Sequence, residues 1–195
     1  SNNIYVGWDS REDIAYQVCE HSIRRRTNQN SVNVSPLKQS ELREQKLYWR
    51  EQDKLSSTEF TITRFLVPHL NKFTGWAAFC DCDMVWRSDP SELFSQVDDS
   101  KAVMVVKHDY TPQEGTKMDG QLQMPYPRKN WSSMILWNCE HPKNKALDLE
   151  TVNTASPSFL HRFEWLDDED IGTLDHSWNW LVGWYDVERD GDPKI

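Results

Sequence analysis

The sequence predicts an α/β fold, a Rossmann-like mixed and mostly parallel sheet flanked by helices, and three observations carry that expectation. Strand-like runs, apolar except for Asp81 and Ser133 at their ends, recur at residues 76–81, 102–106 and 133–137. Such runs read as strands buried on both faces of a parallel-type sheet, whereas a half-exposed strand would alternate. The chain also opens with a β-rich run, a tight turn and an amphipathic stretch, the order of a strand-turn-helix unit. Its 195 residues suffice for one domain with a substantial core.

Asn3-Ile4-Tyr5-Val6-Gly7 is the first strand. Asp9 or Ser10 stands where a cap would open a helix over residues 11–26, with Glu12 or Asp13 at the capping-box position. Ile14, Val18, Cys19 and Ile23 supply one apolar stripe, and Arg24-Arg25-Arg26 its charged last turn. No Gly-x-Gly-x-x-Gly follows the first strand, which disfavours dinucleotide binding. Residues 31–37 form a second strand, and residues 38–57 read as a polar surface excursion around Leu47-Tyr48-Trp49. Ser56 and Glu59 make a capping box for a helix over residues 58–72, with Ile62, Phe65, Leu66, Leu70 and Phe73 as its stripe. Arg64 lies off that stripe, and Pro68 predicts a kink because it clashes with the carbonyl four residues back.

The strand at 76–81 follows, then a helix near 90–97 and a strand at 102–106. Residues 107–130 are polar and rich in Pro and Gly, a loop length that suits a lid or binding loop. After the strand at 133–137, residues 144–152 are expected to be helical, and the tail carries Trp178, Trp180, Trp184 and Tyr185.

Composition excludes some functions. A net charge of −9 argues against nucleic acid, whose phosphates demand clustered Lys and Arg. No apolar stretch approaches the length of a membrane span and no signal peptide is evident, so the expected location is cytoplasmic. The four cysteines, Cys19, Cys80, Cys82 and Cys139, lack Cys-x-x-Cys spacing and read as reduced thiols.

Asp81-Cys82-Asp83 carries the chemistry. It stands where the apolar run 76–80 stops, at the carboxyl edge of the sheet, where open α/β folds bind ligands. Two carboxylates one residue apart suit a hard divalent cation completed by substrate phosphates. Asp-x-Asp also occurs at Asp168/Asp170 and Asp190/Asp192, so the spacing by itself is weak, and the preceding strand gives it weight.

Four segments in order, Ile4-Tyr5-Val6-Gly7-Trp8-Asp9, Thr63-Arg64-Phe65, Phe79-Cys80-Asp81-Cys82-Asp83 and Asp168-Glu169-Asp170-Ile171, resemble the nucleotide-sugar glycosyltransferases of the A-type fold. The resemblance is to the family-eight-like members, and more closely to a bacterial and phage group among them. It spans most of the chain and implies a single glycosyltransferase domain over residues 1–195. It further implies that Asp81 and Asp83 hold Mn²⁺ or Mg²⁺ against a nucleotide diphosphate, with Arg64 adding a fixed positive charge. Gly7, Trp8, Asp9 and Cys82 would serve the nucleotide, while Ser132 and Ser133 would line the donor sugar after Lys129, Asn130 and Trp131. Asp168 and Glu169 would face the transferred sugar, where a carboxylate stabilises developing positive charge.

Each residue also has a plainer use. Gly7 can be turn chemistry, Trp8 and Trp131 core, Arg64 a surface helix residue, and the acids 167–170 a solvated helix start. Glu169 stands where the family has Gln, and Met134 where it has Gly. The family's third metal ligand, a His before Gly and Lys-Pro-Trp, has no counterpart before Asp192-Pro193-Lys194-Ile195, and His108 and His176 are poor substitutes. The expectation is therefore either a domain lacking that C-terminal segment or a site completed by a different group, with the metal bound weakly without nucleotide.

The implied reaction moves a hexose from a uridine-based nucleotide diphosphate sugar, with retention, to an unidentified glycan, lipid or protein acceptor. Two alternatives stay open: a sugar-1-phosphate nucleotidyltransferase, which would want a Gly-rich loop after the first strand, and a non-catalytic sugar- or nucleotide-binding module.

Overall fold

A computed structural model describes residues 2–28, 30–52, 58–108, 128–182 and 185–195. Strand β1 (Asn2–Gly7), helix α1 (Asp13–Arg26) and strand β2 (Val32–Leu37) form a strand-helix-strand unit with parallel strands. Helix α1 begins two residues later than the sequence suggests, and no side chain caps it. The Asp9 carboxylate instead accepts from Arg11 and from the backbone N–H of Glu59. The buried face is also turned from the expected stripe: Tyr16, Cys19 and Ile23 are covered, while Ile14 and Val18 are exposed.

The stretch expected to be a surface excursion is packed. Helix α2 (Gln39–Glu44) buries Leu42, and Tyr48 enters the core. Trp49 N–H donates to Asn153 Oδ1 at 2.7 Å. Arg50 Nη1 donates to the carbonyls of Val152 and Ala155 at 2.9 and 2.6 Å, tying the segment to the far end of the chain. Ser56 of the expected capping box lies outside the described residues.

In place of one long helix over residues 58–72 there is a 3₁₀ turn (Thr63–Leu66) and a single α turn, α3 (Val67–Leu70). The stretch from Ile62 to Pro68 is buried throughout, so no solvated face remains for an amphipathic helix. Pro68 kinks nothing. It sits in the first turn of α3, where its missing N–H costs no bond.

Strand β3 (Trp76–Cys80) leads to α4 (Pro90–Phe94), whose cap Asp89 accepts from Ser91 N–H. Then come β4 (Val103–Val106) and β5 (Met134–Asn138). The expected helix at 144–152 is a 3₁₀ turn (Pro142–Ala146) followed by α5 (Leu149–Thr154), capped by Asp148. Helix α6 (Pro157–His161), β6 (Ile171–Leu174) and α7 (Val187–Asp190) complete the chain and were not foreseen. Most of the expected loop at 107–130 lies outside the described residues, as does Trp184.

The six strands lie in the order β2-β1-β3-β5-β4-β6. β1 pairs parallel with β2 and β3, and β4 with β6, while β5 runs antiparallel to both its neighbours. The sheet is therefore mixed and mostly parallel. From β1 the chain goes first to β2 on one side and later to β3 on the other. This reversal opens a crevice outside the carboxyl ends of β1 and β3, the place where open α/β sheets take ligands. All four cysteines are buried free thiols.

Candidate functional site

The register fixes which residues meet at that edge. Val6 of β1 pairs with Cys80, and Cys80 with Met134 at the start of β5. Asp81 then leaves β3 with its backbone N–H still bonded to the Ser133 carbonyl at 3.0 Å. A cavity of about 430 Å³ opens there. Glu12, Asp81 and Asp83 line it together with Thr58, Phe60, Thr61 and Arg64, and the remaining wall is residues 128–130, Ser132, Ser133, His161 and Arg162.

Arg64 is the centre of this arrangement. Its side chain is 7% exposed and lies over the rings of Phe79 and Phe60, at 4.8 and 5.6 Å from their centroids. Nη1 donates to Asp81 Oδ1 at 3.0 Å and to the Ser132 carbonyl at 2.7 Å. The burial that holds it there lowers its pKa, against the opposing pull of Asp81. Asp81 is pushed up to about 6, first by burial, with Arg64 acting against the shift and Asp83 adding to it. Asp81 is thus paired with one buried cation and still faces the cavity, and Asp83 is exposed beside it.

His161 supports the same wall. Ser132 Oγ lies 2.8 Å from His161 Nδ1, and the imidazole stands edge-on to Phe65 at 5.0 Å. Burial, with the charge of Arg64, pushes its pKa down to about 4. The ring is neutral at physiological pH, and which of Ser132 Oγ and Nδ1 donates in this bond depends on the imidazole tautomer.

Gly7, Trp8 and Asp9 stand behind the cavity and do not line it. A Cβ on Gly7 would sit 2.4 Å from the Phe60 ring, so the glycine is what lets Phe60 close over the end of β1. Trp8 Nε1 donates to Asp13 Oδ1 at 2.9 Å, and Lys38 Nζ lies 4.9 Å from its ring centroid. Asp9 is fully buried and bonded to Arg11 and the Glu59 backbone, and the Arg11 guanidinium holds its carboxyl well below the usual range. Cys82 is buried, its Sγ 3.6 Å from Glu12 Oε2, and burial pushes the thiol up to about 12.

Asp168 and Glu169 are exposed and line no part of the cavity. β6 begins beside Val103, at the opposite end of β4 from the Val106–Leu174 pair, so these acids enter the sheet at the far edge from Asp81. Asp168 Oδ1 accepts from Arg128 Nη2 at 2.7 Å, Lys143 Nζ lies 2.6 Å from Asp170 Oδ2, and Lys101 Nζ donates to the Glu169 carbonyl. His108 packs beside Tyr185, which stacks on His176, and neither histidine lines the cavity.

Two carboxylates on one cavity fit a cation that takes its remaining ligands from substrate phosphates. Among the described residues no group of three or more His, Cys, Asp or Glu side chains could hold an ion by itself. Sequence reasoning missed Glu12, Phe60, Arg128, His161 and Arg162. Glu12 could have been found from its place just after the first strand. The others reach the site only by packing between distant segments.

No protein-family model matches the chain. Several solved glycosyltransferases share its fold. The mouse xyloside xylosyltransferase 1 superposes with a TM-score of 0.59 at 13% identity, over 99% of this chain and 96% of that one. The Streptococcus pneumoniae glycosyltransferase GlyE gives 0.58 at 11% identity; it covers 100% of this chain, which spans only 53% of GlyE. The galactosyltransferase LgtC, solved with donor and acceptor sugar analogues, gives 0.55 at 11% identity, over 99% and 84% of the two chains. These likenesses establish the A-type glycosyltransferase fold. By sequence, Protein CDI of Arabidopsis thaliana is 57% identical over 180 residues, 92% of this chain and 69% of that protein, and the chain therefore belongs to the Protein CDI family.

Proposed function

We propose that the protein is a metal-dependent glycosyltransferase that moves a hexose from a nucleotide diphosphate sugar, uridine-based, to an acceptor hydroxyl with retention at the anomeric carbon. The observation that carries this reading is the convergence of Asp81, Asp83 and Arg64 on one cavity at the β1/β3 switch point. The shared fold supports glycosyl transfer as the class of reaction, and the fold relatives include a xylosyltransferase and a galactosyltransferase.

Asp81 and Asp83 would hold Mn²⁺ or Mg²⁺, which as a Lewis acid offsets the charge left on a departing diphosphate. Arg64 fixes Asp81 and brings a positive charge to the same wall. Ser132 and Ser133 border the donor sugar's side, with Ser132 oriented by His161. The acceptor hydroxyl attacks on the leaving-group face, and a diphosphate oxygen takes its proton. We assign Asp168 to holding Arg128 and leave Glu169 outside the chemistry, since neither lines the cavity.

A thermal-shift panel of nucleoside diphosphates with and without Mn²⁺ tests the reading. Stabilisation that needs both partners supports it. Release of pyrophosphate from a nucleoside triphosphate and a sugar phosphate would replace it with nucleotidyl transfer, and no response to any nucleotide would defeat it.

A further inference from the structure

Helix α1 leaves an apolar stripe uncovered. Ile14 is 78% exposed and Val18 50%, although the helix buries Tyr16, Cys19 and Ile23 on its other side. His21 and Arg25 continue the stripe at helical spacing, and both are exposed. The acids of the helix, Asp13 and Glu20, lie off the stripe at that spacing, as does Glu12 just before it.

A second segment widens this face. Cys82 Sγ lies 3.6 Å from Glu12 Oε2, and Trp86 N–H donates to Ser22 Oγ at 2.9 Å, so residues 82–86 run along α1. Val85, 48% exposed, stands between those two anchors, and Arg87 just beyond them is exposed. Arg24 pairs with Glu20, whereas Arg25, Arg26 and Arg87 make no ion pair among the described residues. A helix dipole favours cations in the last turn, but it does not call for bare Ile and Val in the turns before it. The face thus joins three uncovered apolar side chains to unmatched arginines, in a chain whose net charge is −9.

We infer that this face of α1, with Val85 and Arg87, docks the protein on an anionic lipid bilayer. Charge and side-chain type select that occupant. Nucleic acid offers phosphates to the arginines and nothing to Ile14 and Val18. A stable protein interface buries about 800 Å² on each side around aromatic anchors, and this stripe carries no Trp, Tyr or Phe. An anionic bilayer surface takes both kinds of side chain: the apolar ones enter at the headgroup boundary, and the arginines stay with the headgroup anions. With 14 residues α1 is too short to span, so it lies in the plane of the surface. This face takes no part in the donor reading above. Asp83 precedes Val85 by two residues, so docking here sets the rim of the cavity beside the membrane surface.

Co-sedimentation with vesicles tests this, using phosphatidylcholine alone and phosphatidylcholine mixed equally with phosphatidylserine. The proteins are the wild type, Ile14→Ser combined with Val18→Ser, Arg25→Ala, and Val187→Ser as a control that removes an exposed apolar side chain from α7. The wild type should bind the mixed vesicles about tenfold or more tightly than the neutral ones, and the preference should fade with added salt. The Ile14 and Val18 double variant should lose about tenfold, Arg25→Ala about fivefold, and Val187→Ser less than about twofold. Melting temperatures should match the wild type, since each replaced side chain is exposed. Equal binding to both vesicles, or binding to neither, overturns the inference, as does binding that the double variant leaves unchanged. A dimer of the free protein that the double variant breaks would give this face to a second copy and overturn it as well.

Discussion

Arg64 Nη1 stands 3.0 Å from Asp81 Oδ1, and the two side chains are 7% and 21% exposed. A pair so placed is held by geometry, and removing one partner leaves the other charge without compensation. Arg64→Ala should cost about 3 kcal/mol of folding stability and abolish Mn²⁺-dependent nucleotide binding. Urea denaturation and calorimetry read the two effects. A variant as stable as the wild type would show that Asp81 is well hydrated without its partner.

Asp83 offers the complementary case, since it is exposed and its removal leaves no cavity or orphaned charge. Asp83→Ala should abolish donor turnover while changing stability by no more than about 0.5 kcal/mol. Assays of sugar-nucleotide hydrolysis or transfer, beside a melting curve, check it. Full activity would remove Asp83 from the metal site. Mn²⁺ added to the free wild-type protein should bind weakly, and tight binding without nucleotide would mean that further ligands complete the site.

Gly7 and Phe60 are in contact such that a Cβ at position 7 would fall 2.4 Å from the ring. Gly7→Ala should therefore displace Phe60 from the cavity wall, destabilise the fold by about 1–3 kcal/mol and weaken nucleotide binding. Phe60→Leu in the same chain should recover part of the stability. Additive losses in the double variant, measured by urea denaturation, would place the strain elsewhere.

Acid should act on this protein through groups of opposite sign. Burial, with His176 nearby, pushes His108 down from 6.5 to about 4. Between those values the unfolded chain binds the proton and the folded protein does not, so stability falls as pH falls through that window, by about 3 kcal/mol at its end. His161, also pushed down to about 4 by burial and Arg64, adds to the same window. Asp81, raised from 3.8 to about 6, takes its proton first in the fold, so it contributes stability to the free protein as pH falls from about 6 to 3.8. A ligand that needs the ionised carboxylate reverses that gain, and stabilisation by nucleotide plus Mn²⁺ should shrink below about pH 6. Melting temperature against pH, with and without ligands, checks both; His108→Gln should flatten the free-protein profile, and a profile that overlays the wild type would clear His108.

The strands at 76–80 and 103–106 and the start of the sheet were legible because a run buried on both faces needs no partner to announce itself: its own apolar residues suffice. Asp81 and Asp83 were legible for a related reason, as a charge that interrupts such a run must stand at its end. The segment 58–72 was misread as one amphipathic helix, because the apolar spacing was right and only the packing reveals that its middle, Ile62 to Pro68, is covered on every face. The same holds for α1, whose exposed Ile14 and Val18 are as apolar as its buried Ile23.

Local chemistry thus determined which strands are buried on both faces and that two acids close the third strand. Tertiary structure alone decided which side chains share the cavity. Arg64 meets Ser132 across 68 positions and Arg128 meets Asp168 across 40. It also sent the acids at 168–170 to the far edge, because register is a property of strand pairs and not of any one strand.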